Sequence, residues 1–262
     1  MSTAPLLHVP QEGTVVADGM VYVTTAYALP CPPDTSHLIT EDDTPVDNLA
    51  SEKHQRLLTE PLYSSWAGPG PGRTFLVAAN VGLFVVPRNP AIVPDVMLSL
   101  DVTAPEDWWA IRSYFVWEYG KTPDVVIEIV SNTKGGEKST KRTQYAQAGI
   151  PYYVVYDPDR YLPGDVLEVY ELLARAYRRR PDAWLPEVGL GVTLWEGMFE
   201  GRHGTWLRWC DQAGEVIPTG AERAEAAQQQ AEAAQQRAEA AQQRAERLAR
   251  RLRELGLDPE EV

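Results

Sequence analysis

The stretch PDVVIEIVSNTKGGEKSTKRTQYAQAGIPYYVVYDP, residues 123–158, decides the fold. Residues 124–130 form a short apolar run rich in β-branched side chains, which predicts a buried strand. We expect a turn at residues 132–136, a helix over residues 137–148 and a second strand over residues 152–156. This order predicts a strand-helix-strand crossover and therefore an α/β domain.

Glu128 interrupts the apolar character of the first strand. Alternation with period two places its side chain on the same face as Val126 and Val130. A carboxylate among valines is costly to desolvate unless a cation, a hydrogen-bond donor or a bound metal compensates its charge. Glu128 therefore indicates either a structural ion pair with a Lys or Arg or a functional site.

Lys141 and Asp95 are the partners that the sequence offers to Glu128. Lys141 shares a helical stripe with Glu137 and Tyr145, and Asp95 lies near the start of a further predicted strand, residues 92–100. Two carboxylates can hold a hard cation such as Mg²⁺, while a lysine orients a water or stabilises a developing phosphate charge. The set predicts metal-dependent phosphodiester hydrolysis. The alternatives are a turn role for Asp95 and a lysine whose ammonium only reaches water.

Four segments of this region resemble a known family. VPDVML, PDVVIEIVS, EKSTKRTQYAQAGI and YYVVYDP are similar to segments of the Uma-two family of restriction-endonuclease-like proteins, a branch of the PD-(D/E)xK nuclease-like fold. The resemblance spans roughly residues 46–208. It implies a small mixed sheet flanked by helices and a Mg²⁺- or Mn²⁺-dependent endonuclease that acts on DNA.

The resemblance also implies roles for individual residues. Asp95 and Glu128 match the metal-binding catalytic carboxylates, and Lys141 matches the catalytic lysine that this branch carries on the helix. In the parent signature the lysine stands two residues after the acidic residue, a position that Val130 occupies here. The first predicted helix covers residues 47–59, with Asp47 as its N-cap and Pro61 as its limit. Glu52, in the segment SEKHQR of this helix, is a candidate further metal ligand, and a solvated helix charge is the alternative.

Composition limits the class of protein. The 262 residues, 44% of them hydrophobic, predict one substantial core. The sequence shows neither a cationic leader nor an 18-residue apolar run, so we expect neither secretion nor a membrane span. Cys31 and Cys210 match no metal or redox spacing, which predicts a reduced, cytoplasmic setting. The net charge of −13 is unusual for a DNA-binding protein, because DNA phosphates favour a basic surface. Local basic groups occur around Lys141 and over residues 175–180.

The chain is predicted to have three parts: a peripheral segment over residues 1–45, a nuclease-like domain over residues 46–220 and a helical tail over residues 221–262. From Ala224 the tail repeats every seven residues, with Ala and later Leu at the seam positions. Alanine favours helix but buries little area, so a weak coiled coil and a solvated single helix are both compatible. The tail predicts a homo-oligomer. The alternative function is a catalytically inactive nuclease-fold module that assembles through this tail.

Overall fold

A computed structural model of the chain describes residues 14–17, 20–23, 49–107, 109, 112–131 and 136–254. It divides into two compact units, Met1–Ile217 and Pro218–Val262. Most of the predicted N-terminal segment, the proposed helix cap Asp47 and most of the turn after the central strand lie outside the described residues. Within the N-terminal segment, β1 (Thr14–Ala17) pairs antiparallel with β2 (Met20–Val23).

Strands and short helices alternate through the rest of the first unit. Its strands are β3 (Phe75–Ala79), β4 (Leu83–Phe84), β5 (Val96–Leu100), β6 (Tyr114–Phe115), β7 (Val125–Ile129), β8 (Tyr152–Tyr156), β9 (Leu167–Leu173), β10 (Ala176–Arg179), β11 (Trp184–Leu185), β12 (Leu190–Phe199) and β13 (Arg202–Cys210). Its helices are α1 (Leu49–Ser64), α2 (Val116–Tyr119) and α3 (Arg142–Ala148), and a π-helical turn, Glu137–Lys141, leads directly into α3.

A six-stranded mixed sheet organises this unit, with the strand order β10-β9-β8-β7-β5-β3. β7 and β8 run parallel, joined by the π-helical turn and α3, as the crossover pattern predicted. The other pairs of this sheet are antiparallel. The architecture is therefore the predicted mixed α/β type, with β7 at the centre and every one of its residues buried.

Apolar clusters cover both faces of the sheet. On one face Ile127 of β7 packs in a cluster with Leu207 of β13, and on the other face Val126 belongs to a cluster with Tyr145 of α3. Because successive side chains of a strand point to opposite faces, Glu128 shares the face of Val126. The strand pattern thus directs a carboxylate toward the segment that carries the crossover helix.

The first helix is longer than the sequence predicted. The expected range was residues 47–59, with Pro61 as the limit, whereas α1 continues through Pro61 and ends at Ser64. The Pro61 carbonyl accepts hydrogen bonds from the amides of Ser65 (2.9 Å) and Trp66 (3.2 Å). Pro61 is also buried, so packing and these turn bonds retain a last turn that proline disfavours by removing one donor.

Residues 75–79 and 83–86 flank the turn-like segment of residues 80–82 and so predict two paired strands, and this prediction is wrong. β3 pairs antiparallel with β5, with Val77 opposite Leu98, and β4 pairs in parallel with β6, with Leu83 opposite Tyr114. The short segment between β3 and β4 has the turn residues of a hairpin, but pairing is decided by burial of apolar side chains on distant strands. The long hairpin β12-β13 was not predicted either, and the Trp209 indole ties it to α1 through a 2.7 Å bond to the Leu58 carbonyl.

The described part of the second unit is one helix, α4 (Gly220–Glu254), preceded by a reciprocal cap. The Glu222 amide donates to Oγ1 of Thr219 (3.1 Å), and the Thr219 amide donates to a Glu222 carboxylate oxygen (2.7 Å). No residue of α4 is buried, and Leu248 of its seam is 66% exposed. Within the described ranges, no helix has the length and apolar character needed to cross a bilayer.

Candidate active site

Asp95 lies directly before β5 and bridges three parts of the fold. Its Oδ2 accepts a 2.6 Å hydrogen bond from the amide of Ile129, the last residue of β7. Its Oδ1 accepts a 3.2 Å hydrogen bond from the Gln55 side-chain amide on α1. The side chain is buried, so these contacts fix the Asp95 carboxylate beside the end of the strand that carries Glu128.

Glu128 is fully buried, and each of its carboxylate oxygens accepts a hydrogen bond from the crossover segment. The Lys141 ammonium donates to Oε2 at 2.7 Å, and the Tyr145 hydroxyl donates to Oε1 at 2.6 Å. Both donors lie on the helical stripe that the sequence predicted. The Lys141 side chain is 27% exposed, so solvent reaches the group along this side chain.

The charges of the group perturb one another. Burial raises the pKa of Glu128 to about 8, with a further contribution from the negative charge of Asp95, while Lys141 and Tyr145 act in the opposite direction. Burial lowers the pKa of Lys141, but the charge and hydrogen bond of Glu128, together with the charges of Asp95 and Glu137, raise that pKa overall. The pKa of Tyr145 is raised by burial and by Glu128, so its hydroxyl stays protonated and remains a donor.

The structure brings Asp95, Glu128 and Lys141 together. The contact between Glu128 and Lys141 excludes the alternative in which the lysine only reaches water. Asp95 holds groups of α1 and β7 rather than only capping its own turn. An ion pair alone would explain the burial of Glu128, but it does not explain why a second carboxylate raises the pKa of the first.

Glu52 contacts other residues of α1, and its role as a further metal ligand stays a prediction. Its carboxylate forms an ion pair with Arg56 and lies 3.8 Å from the Lys53 ammonium, and its side chain is 44% exposed. Gln55, three residues later on α1, is buried and is the residue that contacts Asp95. The described contact from α1 to Asp95 is thus made by a neutral amide.

Two polar residues of the site carried no assigned role in the sequence. Helical spacing placed Tyr145 on the same face as Lys141, but a tyrosine next to apolar positions is usually interpreted as a core residue. Gln55 is three residues before Leu58 and seven before Leu62, both fully buried, so it occupies a core position of α1. A polar side chain at such a position is the signal that could have identified it, because buried polar groups require partners.

The donors present suit a hard divalent cation. Among the described residues, no group of three or more His, Cys, Asp or Glu side chains could hold a metal ion. The carboxylates of Asp95 and Glu128 are the candidate donors, and Mg²⁺ is commonly bound through one or two carboxylates while it keeps several waters. A cation between these two side chains would relieve the repulsion that raises the pKa of Glu128.

Acidic partners neutralise several of the predicted basic residues. The Lys138 ammonium lies 3.0 Å from a Glu168 carboxylate oxygen, and Arg180 lies 2.6 Å from Glu171. The basic residues around Lys141 and those over residues 175–180 therefore carry less net positive charge than the sequence suggested.

A comparison with protein families supplies independent evidence. Residues 42–193 match the model of the Uma2 family, whose description is "Putative restriction endonuclease". The matched range contains Asp95, Glu128 and Lys141 and extends from before α1 into β12. Searches of curated proteins and of solved structures found no match. Because the family match covers more than half of the 262 residues, the chain belongs to the Uma2 family of restriction-endonuclease-like proteins.

Proposed function

We propose that the protein is a divalent-metal-dependent endonuclease that hydrolyses phosphodiester bonds in DNA, with Mg²⁺ or Mn²⁺ as its cofactor. The observation that carries the proposal is the buried carboxylate of Glu128, which contacts the Lys141 ammonium and lies close enough to Asp95 for their charges to interact. Membership of a family described as restriction endonucleases supports the nuclease class.

Asp95 and Glu128 are the residues that would hold the cation. Once bound, such a cation supplies Lewis-acid polarisation of a phosphate oxygen and favours deprotonation of a water. Asp95 is kept in place by the Ile129 amide and by Gln55, and Glu128 by Tyr145. These contacts orient the two carboxylates before substrate arrives, which lowers the reorganisation needed during the reaction.

Lys141 is the residue that would act on the substrate. Its side chain is 27% exposed, whereas Asp95 and Glu128 are buried, and its ammonium contacts Glu128. In that position it can orient the attacking water or stabilise negative charge that develops on the phosphate. In the parent signature a lysine on the strand lies beside the carboxylates, and in this chain a lysine on the crossover segment would take that place.

DNA as the substrate is supported by the family description and by the character of the site. The overall charge of −13 and the paired basic side chains offer little general attraction for a polyanion. A bound divalent cation would then supply much of the attraction for the scissile phosphate. We therefore propose that DNA binding, as well as cleavage, depends on the cation.

Association of subunits through α4 is a further part of the proposal. The helix exposes a seam of Ala residues followed by Leu248 and Leu252, spaced for a heptad repeat. The leucines would contribute most of the association because alanine buries little apolar area. Such a helix could join two copies of the chain and so present two active sites to a duplex.

A cleavage assay tests the proposal. Supercoiled plasmid, linear duplex, single-stranded DNA and RNA are incubated with the full-length protein in Mg²⁺, in Mn²⁺ and in EDTA. We expect metal-dependent cleavage of DNA and its loss in Glu128→Gln. Glu118→Gln, which removes an exposed carboxylate, is the matched control and should cut as the wild type does. Equal cleavage by Glu128→Gln and the wild type would contradict the proposal.

A further inference from the structure

Glu137 is a second buried glutamate close to the candidate site. Only 6% of the residue is exposed. Its Oε2 is buried and has no hydrogen-bond partner among the described residues. An unsatisfied carboxylate oxygen in this environment is costly, because burial removes the water that would otherwise solvate it. This oxygen is therefore a candidate acceptor for a nearby cationic group.

The backbone holds Glu137 in a defined position. It opens the π-helical turn, and the amide of Lys141 donates a 3.1 Å hydrogen bond to the Gly136 carbonyl five residues earlier. Gly136 has a φ of 71°, which glycine adopts without strain. The Tyr153 hydroxyl donates a 2.7 Å hydrogen bond to the Glu137 carbonyl. Turns of this kind are rare within helices and frequently occur at functional sites.

The same turn places Glu137 and Lys141 four positions apart, so their side chains are neighbours on one helical face. The negative charge of Glu137 is one of three, with Glu128 and Asp95, that raise the pKa of Lys141. The ammonium now donates to Glu128. The ammonium therefore has a second carboxylate, that of Glu137, within electrostatic reach. Oε2 of Glu137 has no hydrogen-bond partner among the described residues.

We propose that Glu137 is a positioning residue that accepts the Lys141 ammonium when Glu128 turns to a divalent cation. The inference rests on the proposed function. A cation at Glu128 and Asp95 repels the ammonium, and without another acceptor Lys141 would either compete with the cation or swing into solvent. Glu137 offers the acceptor on the ammonium's own helical face, so Lys141 stays beside the phosphate site after the cation has bound.

Calorimetric titration with Mn²⁺ alone tests this role without any substrate. The full-length wild type, Glu137→Gln, Lys141→Met and the double variant form a cycle, with Glu118→Gln as the control for loss of a carboxylate. We expect Glu137→Gln to weaken Mn²⁺ binding about tenfold when Lys141 is present, a typical coupling between sites. In the Lys141→Met background the same substitution should leave Mn²⁺ binding unchanged.

Each other outcome overturns the inference and identifies the reason. Equal weakening in both backgrounds would make Glu137 a direct metal ligand. Unchanged Mn²⁺ affinity with a lower unfolding temperature would make it a structural residue, while the proposed function would stand. A wild type that binds no Mn²⁺ would overturn both proposals. If the Gln variant does not fold, Glu137→Ala removes the same charge and takes its place in the cycle.

Discussion

The Tyr145 hydroxyl donates a 2.6 Å hydrogen bond to Oε1 of Glu128, while Lys141 contacts the other oxygen of the same carboxylate. One helical segment therefore fixes both oxygens of a buried side chain on the neighbouring strand. This contact connects the crossover topology to the chemistry, because the helix that joins β7 to β8 also determines how Glu128 is oriented.

Removal of the Tyr145 hydroxyl should impair catalysis more than folding. We expect Tyr145→Phe to lower the rate of metal-dependent DNA cleavage about 10- to 100-fold, the usual effect of losing a residue that orients a metal ligand. The matched control is Tyr177→Phe, which removes a hydroxyl that donates to the Ile150 carbonyl instead. Rates measured under single-turnover conditions should separate the two variants, and equal rates would show that Tyr145 only packs.

Gln55 and Glu52 should behave differently although both lie on α1. Gln55→Leu removes the amide that holds Asp95 and should reduce cleavage at least tenfold. Glu52→Gln removes a partly exposed charge paired with Arg56 and should leave cleavage within about twofold. Cleavage and Mn²⁺ affinity are measured for both variants. A large loss in Glu52→Gln alone would support the ligand set that the sequence predicted.

The stability of the metal-free protein should depend on the ionisation of Glu128. Its pKa is about 8 in the folded chain and near 4.5 in the unfolded chain, so between these values the folded state binds more protons. Stability should therefore fall as pH rises from about 5 to 8. Urea unfolding in EDTA at pH 5.5 and 8.5 measures this fall, which should be smaller in Glu128→Gln than in Glu118→Gln. An equal fall in both variants would contradict the assignment.

His54 should contribute a pH dependence of the opposite sign. It packs against Tyr156 and Trp206, and burial lowers its pKa from 6.5 to about 4. The unfolded chain takes up the proton first on acidification, so stability should fall by about 3 kcal/mol as pH drops from 7 to 4. Urea unfolding should show a reduced dependence in His54→Gln. His203→Gln, at an exposed position, is the control for loss of a histidine.

The leucines of α4 should control subunit association. We expect Leu248→Glu with Leu252→Glu to weaken self-association at least tenfold, since each buried leucine contributes about 1.5 to 3 kcal/mol. Sedimentation measures the change, with Gln243→Glu, on the helix face opposite the seam, as the control. A wild type that stays monomeric at all concentrations would favour the solvated single helix.

The sequence predicted the centre of the site because local patterns control it. Period-two alternation placed Glu128 on the face of Val126, and helical spacing placed Lys141 and Tyr145 on one stripe, as the structure has them. The helix limits at residues 137–148 also agree, because Gly149, with a φ of 81°, ends the helix in the left-handed conformation that glycine favours.

The remaining features depend on contacts between distant segments. Gln55 gained its role only when α1 packed beside Asp95, 40 residues later, and no local pattern encodes that meeting. The pairing of β3 with β5 instead of β4 was likewise decided by burial across the sheet. In the π-helical turn a hydrogen bond joins residues five apart instead of four apart. The spacing of side chains over five residues does not distinguish these two kinds of helix.

Crystallography of the wild type with Mn²⁺ tests the central claim most directly. The anomalous difference map should show a peak about 2.1 Å from a carboxylate oxygen of Asp95 and from one of Glu128, the distance usual for a small hard divalent cation. The Lys141 ammonium should lie beside that peak. Anomalous density elsewhere on the chain, with Glu128 still bonded to Lys141 and no ion between the two carboxylates, would contradict the account.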